Sequence, residues 1–585
     1  MANVTGKAHV DILREYGLDN ELQNDRVLDV IKSAPVPLGA VIPDGWVLKA
    51  HGLYQSKFSK DGEELEAKLI SYEPIVISGL FENLTDESEG FIVSWFDGRE
   101  WKEIVRSRDH FMDSNKIIDL ALYGFPVDSN NTKKLIQYLK DFHAVNRLKL
   151  HFKSYSEQLG WFGNGFLLGN QYISTGEKEI HFYPADVGEK QLVEGFNAQG
   201  DINRWLDIID RLQGYPNVII GIYASLASVL SSILKVDSFI FEWSGETSKG
   251  KSISMKVAAS VWGNPSTDQG GIIKKWNVTP VNIERTASLL KHLPLFLDDT
   301  KDLSGIKTVS NLIYNLASGQ GRGRGSVNGS QKTRYWNNIT FSTGEQKITT
   351  FAKDGGTVGR VIPIVNLPFG KADAETSQLV EGIEIDLQEC YGVAGEKWIR
   401  FILDNRENWD MWKGHYRTFR QTFSEQANGN SVVGRLAKYM ALLATAAMIF
   451  NDCFEKNYDY QSILKTVWEQ IIEENGEVDR PLQAVRCVFE WAVSNQVRFD
   501  DGNGFKSNDD YGIWNPQSEW QEIFFYPNQL SRFLEKQGYE STSIMKSWVD
   551  RGWLNVSKNR GYRKQKKIKN TQIDFISIKR GALEQ

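Results

Sequence analysis

The chain has 585 residues, with 68 Lys and Arg against 74 Asp and Glu, and a formal net charge of −6. Hydrophobic residues make up 41% and aromatic residues 12%, which is enough to fill several cores and excludes intrinsic disorder as the main state. The acidic balance excludes a globally basic nucleic-acid binder but allows a local basic surface. At roughly 150 residues per domain, the length predicts three or four domains.

The amino-terminal pattern changes near residue 40. Residues 1–40 are predicted to form short helices, and residues 41–185 a mostly β domain with one inserted helix at Thr132–Phe142. The runs of that domain that are rich in Val, Ile, Phe, Tyr and Trp include Glu73–Ser78, Phe91–Phe96 and Leu148–Phe152. The amino terminus carries charges where a signal peptide needs an apolar stretch.

The remaining regions follow a polar stretch, Tyr183–Asp201, which is predicted to be a linker. Strands and helices alternate over residues 200–370, which predicts an α/β core. Residues 371–455 are predicted to form a helical lid, and residues 456–585 a helical linker and a winged helix. The uncharged run at residues 218–234 carries four serines and leads into a predicted strand, so it is interpreted as a buried helix rather than a membrane span.

The three cysteines, Cys390, Cys453 and Cys487, are too far apart in sequence to form a CxxC pair. A zinc finger or a disulfide framework is therefore not expected, and a reducing compartment fits the composition.

The strongest motif is Gly245–Ser252, which fits the phosphate-binding pattern GxxxxGK[ST] at every fixed position. An apolar run, Phe239–Trp243, precedes it and a helix-compatible run, Ile253–Trp262, follows, so the motif has its strand–loop–helix context. Lys251 is predicted to reach the β- and γ-phosphates of ATP, and Ser252 to ligate Mg²⁺. The other residues predicted to bind the nucleotide are Gly245, Glu246, Thr247, Ser248, Lys249 and Gly250.

A second acidic site follows at Leu293–Asp299, an apolar strand that ends in two acids. Asp298 is predicted to hold Mg²⁺ through water, and Asp299 to polarise the attacking water, a position where many such ATPases carry Glu. The alternative for Asp299 is a helix N-cap. The next strand predicts a γ-phosphate sensor at Thr343, with Ser342 as the alternative by register.

Two arginines are candidates for sensing the nucleotide. Arg360 follows the helix after Thr343, where one subunit of a ring ATPase places an arginine finger on its neighbour's γ-phosphate. Arg435 begins the predicted helix Leu436–Phe450, the usual place of a second sensor, and acts either in cis or in trans. A plain surface salt bridge is the alternative for each arginine.

A basic segment, residues 319–336, lies between the acidic strand and the sensor strand. Asn328-Gly329 predicts a hairpin turn. The arms carry no acidic residue, so they are predicted to follow a nucleic-acid backbone in the channel of a ring. The candidate DNA contacts are Arg322, Arg324, Lys332 and Arg334. The alternatives are a solvated loop, or a role of Arg322 or Arg324 at a subunit interface.

The carboxyl-terminal tail concentrates positive charge, with ten Lys or Arg against a single acid, Asp574, over residues 551–580. Two short helices, Gln529–Gln537 and Ser541–Asp550, are predicted to precede a basic two-stranded ribbon, which is a winged-helix pattern. The wing residues predicted to contact phosphates are Lys558, Arg560, Arg563, Lys564, Lys566 and Lys567. The alternative is a tail that aids solubility or binds an acidic partner.

These motifs together resemble a family of mobile-element ATPases that was long labelled a domain of unknown function. The resemblance spans residues 42–363 and rests on the 245–252 loop, Leu297–Asp299, residues 319–325, Ser342–Glu345 and Gly359-Arg360, with Gly160-Trp161 and Gly165-Phe166 ahead of them. The whole chain is similar to the Cch-type replication initiator helicases of staphylococcal chromosome cassettes and related pathogenicity islands, which resemble MCM-class AAA+ motors. The resemblance implies a homohexameric ring, ATP-driven DNA unwinding and a carboxyl-terminal winged helix.

We therefore expect a hexameric DNA helicase for replication initiation of a mobile genetic element in the bacterial cytoplasm. Its expected fold is an α/β AAA+ P-loop core with a mostly β amino-terminal domain, a helical lid and a winged helix. ATP and Mg²⁺ are the expected cofactors, single-stranded DNA is expected in the pore, duplex DNA at the winged helix, and no membrane partner is expected. A non-unwinding DNA translocase and an ATP-controlled DNA-binding regulator are the alternatives.

Overall fold

A computed structural model describes most of the chain. The described residues are 32–58, 64–246, 249–301, 309–326, 329–330, 332–351, 355–371, 373–427, 430–476, 480–500, 510–517, 519–568 and 571–582. The helices predicted within residues 1–31 lie outside them, as do Thr247, Ser248 and Asn328. The chain divides into two compact units, Met1–Lys190 and Gln191–Gln585.

The first unit is rich in β-strands, as predicted. Its strands are β1 (Trp46–Lys49), β2 (Gly52–Phe58), β3 (Glu64–Ser71), β4 (Ile75–Asn83), β5 (Glu89–Phe96), β6 (Trp101–Ser107), β7 (Phe152–Ser156), β8 (Gly160–Phe162), β9 (Gly165–Leu168), β10 (Gln171–Ser174) and β11 (Ile180–Phe182). Its helices are α1 (Arg108–Met112), α2 (Ser114–Ile117) and α3 (Thr132–Asn146), with a 3₁₀ helix at Ile118–Tyr123. The main sheet has the order β11-β7-β4-β5-β6, and the two smaller sheets have the orders β1-β2-β3 and β10-β9-β8.

The core of the first unit forms where α3 packs on the main sheet. Leu135, Leu139 and Phe142 recur at helical spacing along α3 and are buried in one cluster with Ile75 and Val93 of the sheet. The predicted inserted helix is thus confirmed and continues to Asn146. The run predicted at Leu148–Phe152 is wrong for its first four residues, because Leu148 is 92% exposed and the strand begins at Phe152.

The boundary between the two units falls within the predicted linker, Tyr183–Asp201, although part of that linker is helical. It contains α4 (Val187–Glu194), and apolar side chains of that helix, Leu192 and Val193, are buried. The segment thus contains a helix with two buried apolar side chains, where its polar composition and Gly content predict a loop.

The second unit is built on a parallel sheet with the order β13-β14-β17-β12-β18. Its strands are β12 (Phe239–Ser244), β13 (Ile273–Lys275), β14 (Leu295–Asp298), β17 (Ile339–Gly344) and β18 (Val361–Ile364), with a small hairpin of β15 (Gly325–Ser326) and β16 (Gly329–Ser330). Every residue of β12 and β17 is buried, as expected for central strands covered on both faces.

The helices of this part are α5 (Ile202–Arg211), α6 (Pro216–Leu234), α7 (Lys251–Ala259), α8 (Pro280–Leu290), α9 (Val309–Ser318), α10 (Gly355–Val358), α11 (Ala374–Glu389), α12 (Val393–Asp404), α13 (Trp409–Gln426), α14 (Ser431–Phe454) and α15 (Tyr460–Gly476). The helical prediction for residues 371–455 is confirmed by α11 to α14. Two helices within the described residues, α6 and α14, are long and apolar enough to cross a membrane. However, 94% of the most apolar stretch of α6 and 72% of that of α14 are buried inside the protein. Ser225 and Ser228 of α6 donate to backbone carbonyls of Ala258 and His292 at 2.7 and 2.8 Å, which explains serines in a buried helix.

The carboxyl-terminal part carries the predicted helix–helix–ribbon order. It comprises α16 (Arg480–Ser494), β19 (Phe499–Asp500), β20 (Gly512–Ile513), β21 (Glu522–Phe525), α17 (Pro527–Lys536), α18 (Ser541–Asp550), β22 (Leu554–Asn555), β23 (Lys564–Ile568) and β24 (Thr571–Lys579). β23 and β24 form an antiparallel ribbon. The three short strands before α17 were not predicted; two of them have only two residues, too few for a periodic signal.

Candidate functional site

The glycine-containing loop joins the end of β12 to the start of α7 at the carboxyl edge of the parallel sheet. Gly245 and Gly250 have φ values of 139° and 85°, which favour glycine. Gly250 is also the N-cap of α7, so the first amides of that helix face the loop. A Cβ on Gly250 would lie 2.6 Å from the ring of Phe369, so this position has no room for a side chain. The loop therefore offers amides and a helix terminus to an anion.

Lys251 lies over its own loop. Its Nζ donates to the carbonyl of Gly245 at 3.0 Å and also to the carbonyl of Glu246. Burial lowers the pKa of Lys251, and the charges of Glu345, Asp298 and Asp299 oppose that shift. The ammonium therefore lies between the glycine-containing loop and a group of carboxylates.

Asp298, at the end of β14, is the point where the predicted residues meet. Ser252 Oγ donates to Asp298 Oδ1 at 3.3 Å, and Thr343 Oγ1 donates to the same oxygen. β14 and β17 are adjacent parallel strands, so their carboxyl ends place Asp298 beside Thr343. Ser342, the alternative by register, is buried and accepts a hydrogen bond from Trp276 instead, which leaves Thr343 as the hydroxyl at the site.

Asp299 has a left-handed backbone, with φ of 62°. Its amide donates to Thr343 Oγ1 at 3.1 Å, and its Oδ1 accepts from the amide of Lys301 at 3.1 Å. The second contact is a local turn of the kind that the capping alternative predicts. Asp adopts this backbone conformation more readily than most residues, although it still costs some strain. The conformation places Asp299 directly after β14, at the edge of the sheet.

The residues present fit a nucleotide with a magnesium ion. The hydroxyl of Ser252 and the carboxylate of Asp298 are hard oxygen donors of the type that Mg²⁺ prefers, and they lie 3.3 Å apart. In the described part of the chain, the buried Oγ of Ser244, just before the loop, has no hydrogen-bond partner. No cluster of three or more His, Cys, Asp or Glu that could bind a metal occurs there either, so phosphate and water oxygens would complete the coordination of the ion.

Arg360 and Arg435 lie together, away from this centre. The carbonyl of Arg360 accepts from the amide of Ile240, which is at the opposite end of β12 from the loop. A Cβ on Gly359 would come within 2.8 Å of Arg435 Cδ, so the two arginines are neighbours. The Arg360 guanidinium stacks on the ring of Tyr314 at 4.7 Å. The length of β12, about 3.3 Å per residue, separates both arginines from the phosphate loop of their own chain.

The basic segment forms a hairpin at the amino edge of the sheet. Backbone pairing between Gly321 and Arg334, and between Gly319 and Trp336, closes its base. β15 and β16 pair Ser326 with Gly329 in an antiparallel register, so the segment is a hairpin as predicted. The predicted Asn328-Gly329 turn includes Asn328, which lies outside the described residues.

The candidate contacts on the hairpin differ in their surroundings. Arg322 and Lys332 are exposed, and Arg334 is half-buried. Arg324 instead donates to buried Glu284 at 2.8 Å, so its guanidinium is held by the protein. Sequence reasoning missed Glu284; the available signal was an acid on the apolar face of α8, between Ile283 and Ala287.

The wing residues also fall into two groups. Lys558 and Lys567 are exposed. Arg560 and Arg563 lie 3.6 and 3.9 Å from Asp574, while Lys564 pairs with Glu522 at 2.5 Å. Lys566 lies over the ring of Phe524 at 4.2 Å. Four of the six predicted wing cations therefore already contact a group of the protein. Fewer of them are available to bind phosphates than the number of positive charges suggests.

Two family descriptions match the chain. Residues 46–336 match "Domain of unknown function (DUF927)", and residues 479–581 match "Cch helix turn helix domain". A solved structure titled "SCCmec type IV Cch - active helicase" is similar, with a TM-score of 0.70 and 18% identity, over 92% of this chain and 99% of that chain. This chain has the Cch fold. The predicted resemblance to Cch-type helicases of mobile elements is thereby confirmed.

The similarity to Cch agrees with the mixed α/β content of this chain, its β-rich amino-terminal region and its carboxyl-terminal helix-turn-helix domain. Two structures of the carboxyl-terminal region of NrS-1 have TM-scores of 0.25 and 0.24 at 10% and 9% identity. They cover 67% and 63% of this chain and 91% and 87% of theirs. A search of curated proteins found no match.

Proposed function

We propose that this chain is an ATP-driven DNA helicase with an AAA+ P-loop core that works as a homohexamer. The observation that carries the proposal is the convergence of Ser252 and Thr343 on Asp298, beside Lys251 and the phosphate-binding loop. Three separate segments of the chain meet there, and each supplies a group with a role in phosphoryl transfer.

In this proposal, the loop amides and Lys251 bind the triphosphate, and Ser252 and Asp298 hold Mg²⁺. The ion, when bound, neutralises charge on the β- and γ-phosphates. Asp299 accepts a proton from the attacking water, and Thr343 orients the site through its contacts with Asp298 and the Asp299 amide. These groups act by position and charge, which is how phosphoryl transfer is catalysed in P-loop enzymes.

Arg360 and Arg435 are proposed to act on the nucleotide of a neighbouring subunit. Both lie at the amino edge of the sheet, whereas the phosphate loop lies at its carboxyl edge. A side chain cannot span a central strand of six residues at about 3.3 Å each. The site in one subunit is then incomplete without the next, which supports a closed ring.

The proposed DNA contacts are the hairpin inside the ring and the winged helix outside it. Lys332 and Arg322 are exposed on the hairpin, and the helix-turn-helix match covers the tail. The similar Cch structure is titled an active helicase, which favours unwinding over translocation alone. Replication initiation of a mobile element in the bacterial cytoplasm is the proposed setting.

The test is steady-state ATP hydrolysis with and without single-stranded DNA. The proposal predicts hydrolysis that DNA stimulates, and its loss in Lys251→Ala. Replacing Lys332 and Arg334 together by Ala should leave hydrolysis in place while strand displacement falls, because these side chains transmit force to DNA. Hydrolysis that DNA does not affect would favour an ATP-controlled regulator instead.

A further inference from the structure

The ring of Tyr314 on α9 lies outside the core. Leu312 and Leu316 of the same helix are buried, whereas Tyr314 is 42% exposed. The ring instead contacts Arg360, whose guanidinium carbon lies 4.7 Å from the ring centre. Because Arg360 directly precedes β18, this contact joins α9 to the residue that starts the edge strand of the parallel sheet.

The contact holds the Arg360 side chain in place and leaves its donors available. The backbone of Arg360 is fixed at both polar groups: its amide donates to the carbonyl of Thr357 and its carbonyl accepts from the amide of Ile240, each at 3.0 Å. A guanidinium over an aromatic ring is attracted through its charge and keeps its five N–H donors for other partners. Tyr314 therefore positions the group without occupying the donors that bind a phosphate.

The next residue of α9, Asn315, contacts the anchor of the basic hairpin. Its Nδ2 donates to Glu284 at 3.0 Å, and Arg324 of the hairpin donates to the other oxygen of the same carboxylate at 2.8 Å. The Glu284 side chain is only 4% exposed, so these hydrogen bonds form where little water competes for them. Adjacent residues of one helix thus contact the arginine and the hairpin.

Two further hydrogen bonds join the end of α9 to the base of the hairpin. The Trp336 indole donates to the carbonyl of Leu316 at 3.2 Å, and the Gln320 amide donates to the carbonyl of Asn315 at 3.3 Å. Backbone hydrogen bonds link the residues of a helical turn, so the turn moves as one unit. A shift of Tyr314 that follows Arg360 is therefore passed on to the hairpin.

We propose that Tyr314 is a positioning residue for Arg360, and that α9 couples this arginine to the basic hairpin. Asn315 and Glu284 carry the coupling at the hairpin end. The inference rests on the proposed trans role of Arg360, and adds a link between the nucleotide of the neighbouring subunit and the hairpin. When Arg360 binds that nucleotide, Tyr314 and α9 follow it, and the hairpin moves with them.

Steady-state ATP hydrolysis by the full chain tests the positioning role. Tyr314→Leu removes the ring and should lower kcat about ten-fold with little change in KM for ATP, because Arg360 acts on the transition state in the next subunit. Tyr314→Phe keeps the ring and should retain most of the rate. The matched control is Asn311→Leu, at an exposed position of the same helix.

Mixed subunits separate this role from a merely structural one. A mixture of Tyr314→Leu and Lys251→Ala should hydrolyse ATP faster than the sum of the two variants alone. Some interfaces of the mixed ring then combine an intact loop with an intact arginine and its tyrosine. A substitution that only disturbed its own subunit would give the sum.

Stimulation of hydrolysis by single-stranded DNA tests the coupling. Asn315→Leu removes the donor to Glu284 and should reduce the stimulation about five-fold, whereas Asn311→Leu should keep it. Unreduced stimulation in Asn315→Leu would contradict the coupling through α9.

Three results would overturn the positioning role: a wild-type rate in Tyr314→Leu, an equal loss in Tyr314→Phe, or a mixture that gives only the sum of rates. Each of these leaves the proposed function in place as long as Arg360→Ala loses hydrolysis. Full hydrolysis by Arg360→Ala would instead refute the trans role of Arg360 in the proposed function, and this inference with it.

Discussion

Glu284 on α8 accepts a hydrogen bond from Arg324 at the base of the basic hairpin, over 2.8 Å. The side chain of Glu284 is only 4% exposed, and that of Arg324 is 28% exposed. The same carboxylate accepts from Asn315 at 3.0 Å, and Asn315 lies on α9, which leads directly into the hairpin. One buried carboxylate therefore joins two helices to the hairpin.

Glu284→Gln should loosen this junction without removing its volume. Loss of the charged hydrogen bond should lower the free energy of unfolding by about 1.5–3 kcal/mol. ATP hydrolysis should persist while strand displacement falls, because the hairpin is no longer fixed to α8. Urea unfolding and both activity assays check this, with Glu469→Gln on α15, whose carboxylate is 64% exposed, as the matched control. Equal losses of hydrolysis and displacement would contradict an anchoring role.

Arg360 should complement a defective phosphate loop in another subunit. Arg360→Ala alone and Lys251→Ala alone should each lose ATP hydrolysis. Mixing the two variants should restore part of it, because a mixed ring contains interfaces with both an intact loop and an intact arginine. The measurement is ATPase rate against mixing ratio, and a rate that stays at background at every ratio would remove Arg360 from the trans role.

The exposed wing lysines should contribute to duplex binding through ion pairs with phosphates. Replacing Lys558 and Lys567 by Ala should reduce the slope of log affinity against log salt by about 0.9 for each phosphate that is no longer neutralised. Truncation of the chain after Val556 would not test the wing alone. It would also remove β24, which pairs with β21 and β22 in the domain sheet. The control is Lys465→Ala on α15, a lysine that is 76% exposed. An unchanged slope would leave the tail as a solubilising segment.

Glu242, in the middle of β12, should make stability depend on pH. Burial raises the pKa of this carboxyl from an ordinary 4.5 to about 8, while the Ile348 amide and Lys347 oppose the shift. The folded protein keeps the proton and the unfolded chain releases it, so its stabilising contribution is complete below pH 4.5 and is lost as the pH rises toward 8. The free energy of unfolding should fall by about 1.4 kcal/mol per pH unit across this window.

Glu242→Gln imitates the protonated carboxyl and should remove this part of the pH dependence. The measurement is urea unfolding, followed by tryptophan fluorescence, of both proteins from about pH 5 to pH 8. The wild type should lose stability relative to the variant as the pH rises. Parallel curves would show that Glu242 is not buried as a neutral acid.

Much of the fold could be predicted because its signals are local. The loop at Gly245–Ser252 has fixed residues at fixed spacing, and the helices over residues 371–455 follow a helical period. Asp298, Ser252 and Thr343 were each predicted from a strand or helix end. The parallel pairing of β14 with β17 then brings Asp298, the last residue of one strand, beside Thr343 of the other.

The features that sequence could not predict depend on distant contacts. The pairing of Arg324 with Glu284 joins residues 40 positions apart, and nothing in either segment specifies the other. The close approach of Phe369 to Gly250 requires the return of Phe369 to the loop, which only the folded sheet shows.

Displacement of one strand from a forked DNA duplex tests the central claim most directly. The purified full chain, with ATP and Mg²⁺, should release the strand, and Lys251→Ala should not, although it should still bind the fork through the winged helix. Release that is equal in wild type and Lys251→Ala, or ATP hydrolysis by wild type without any strand release, would contradict an ATP-driven helicase.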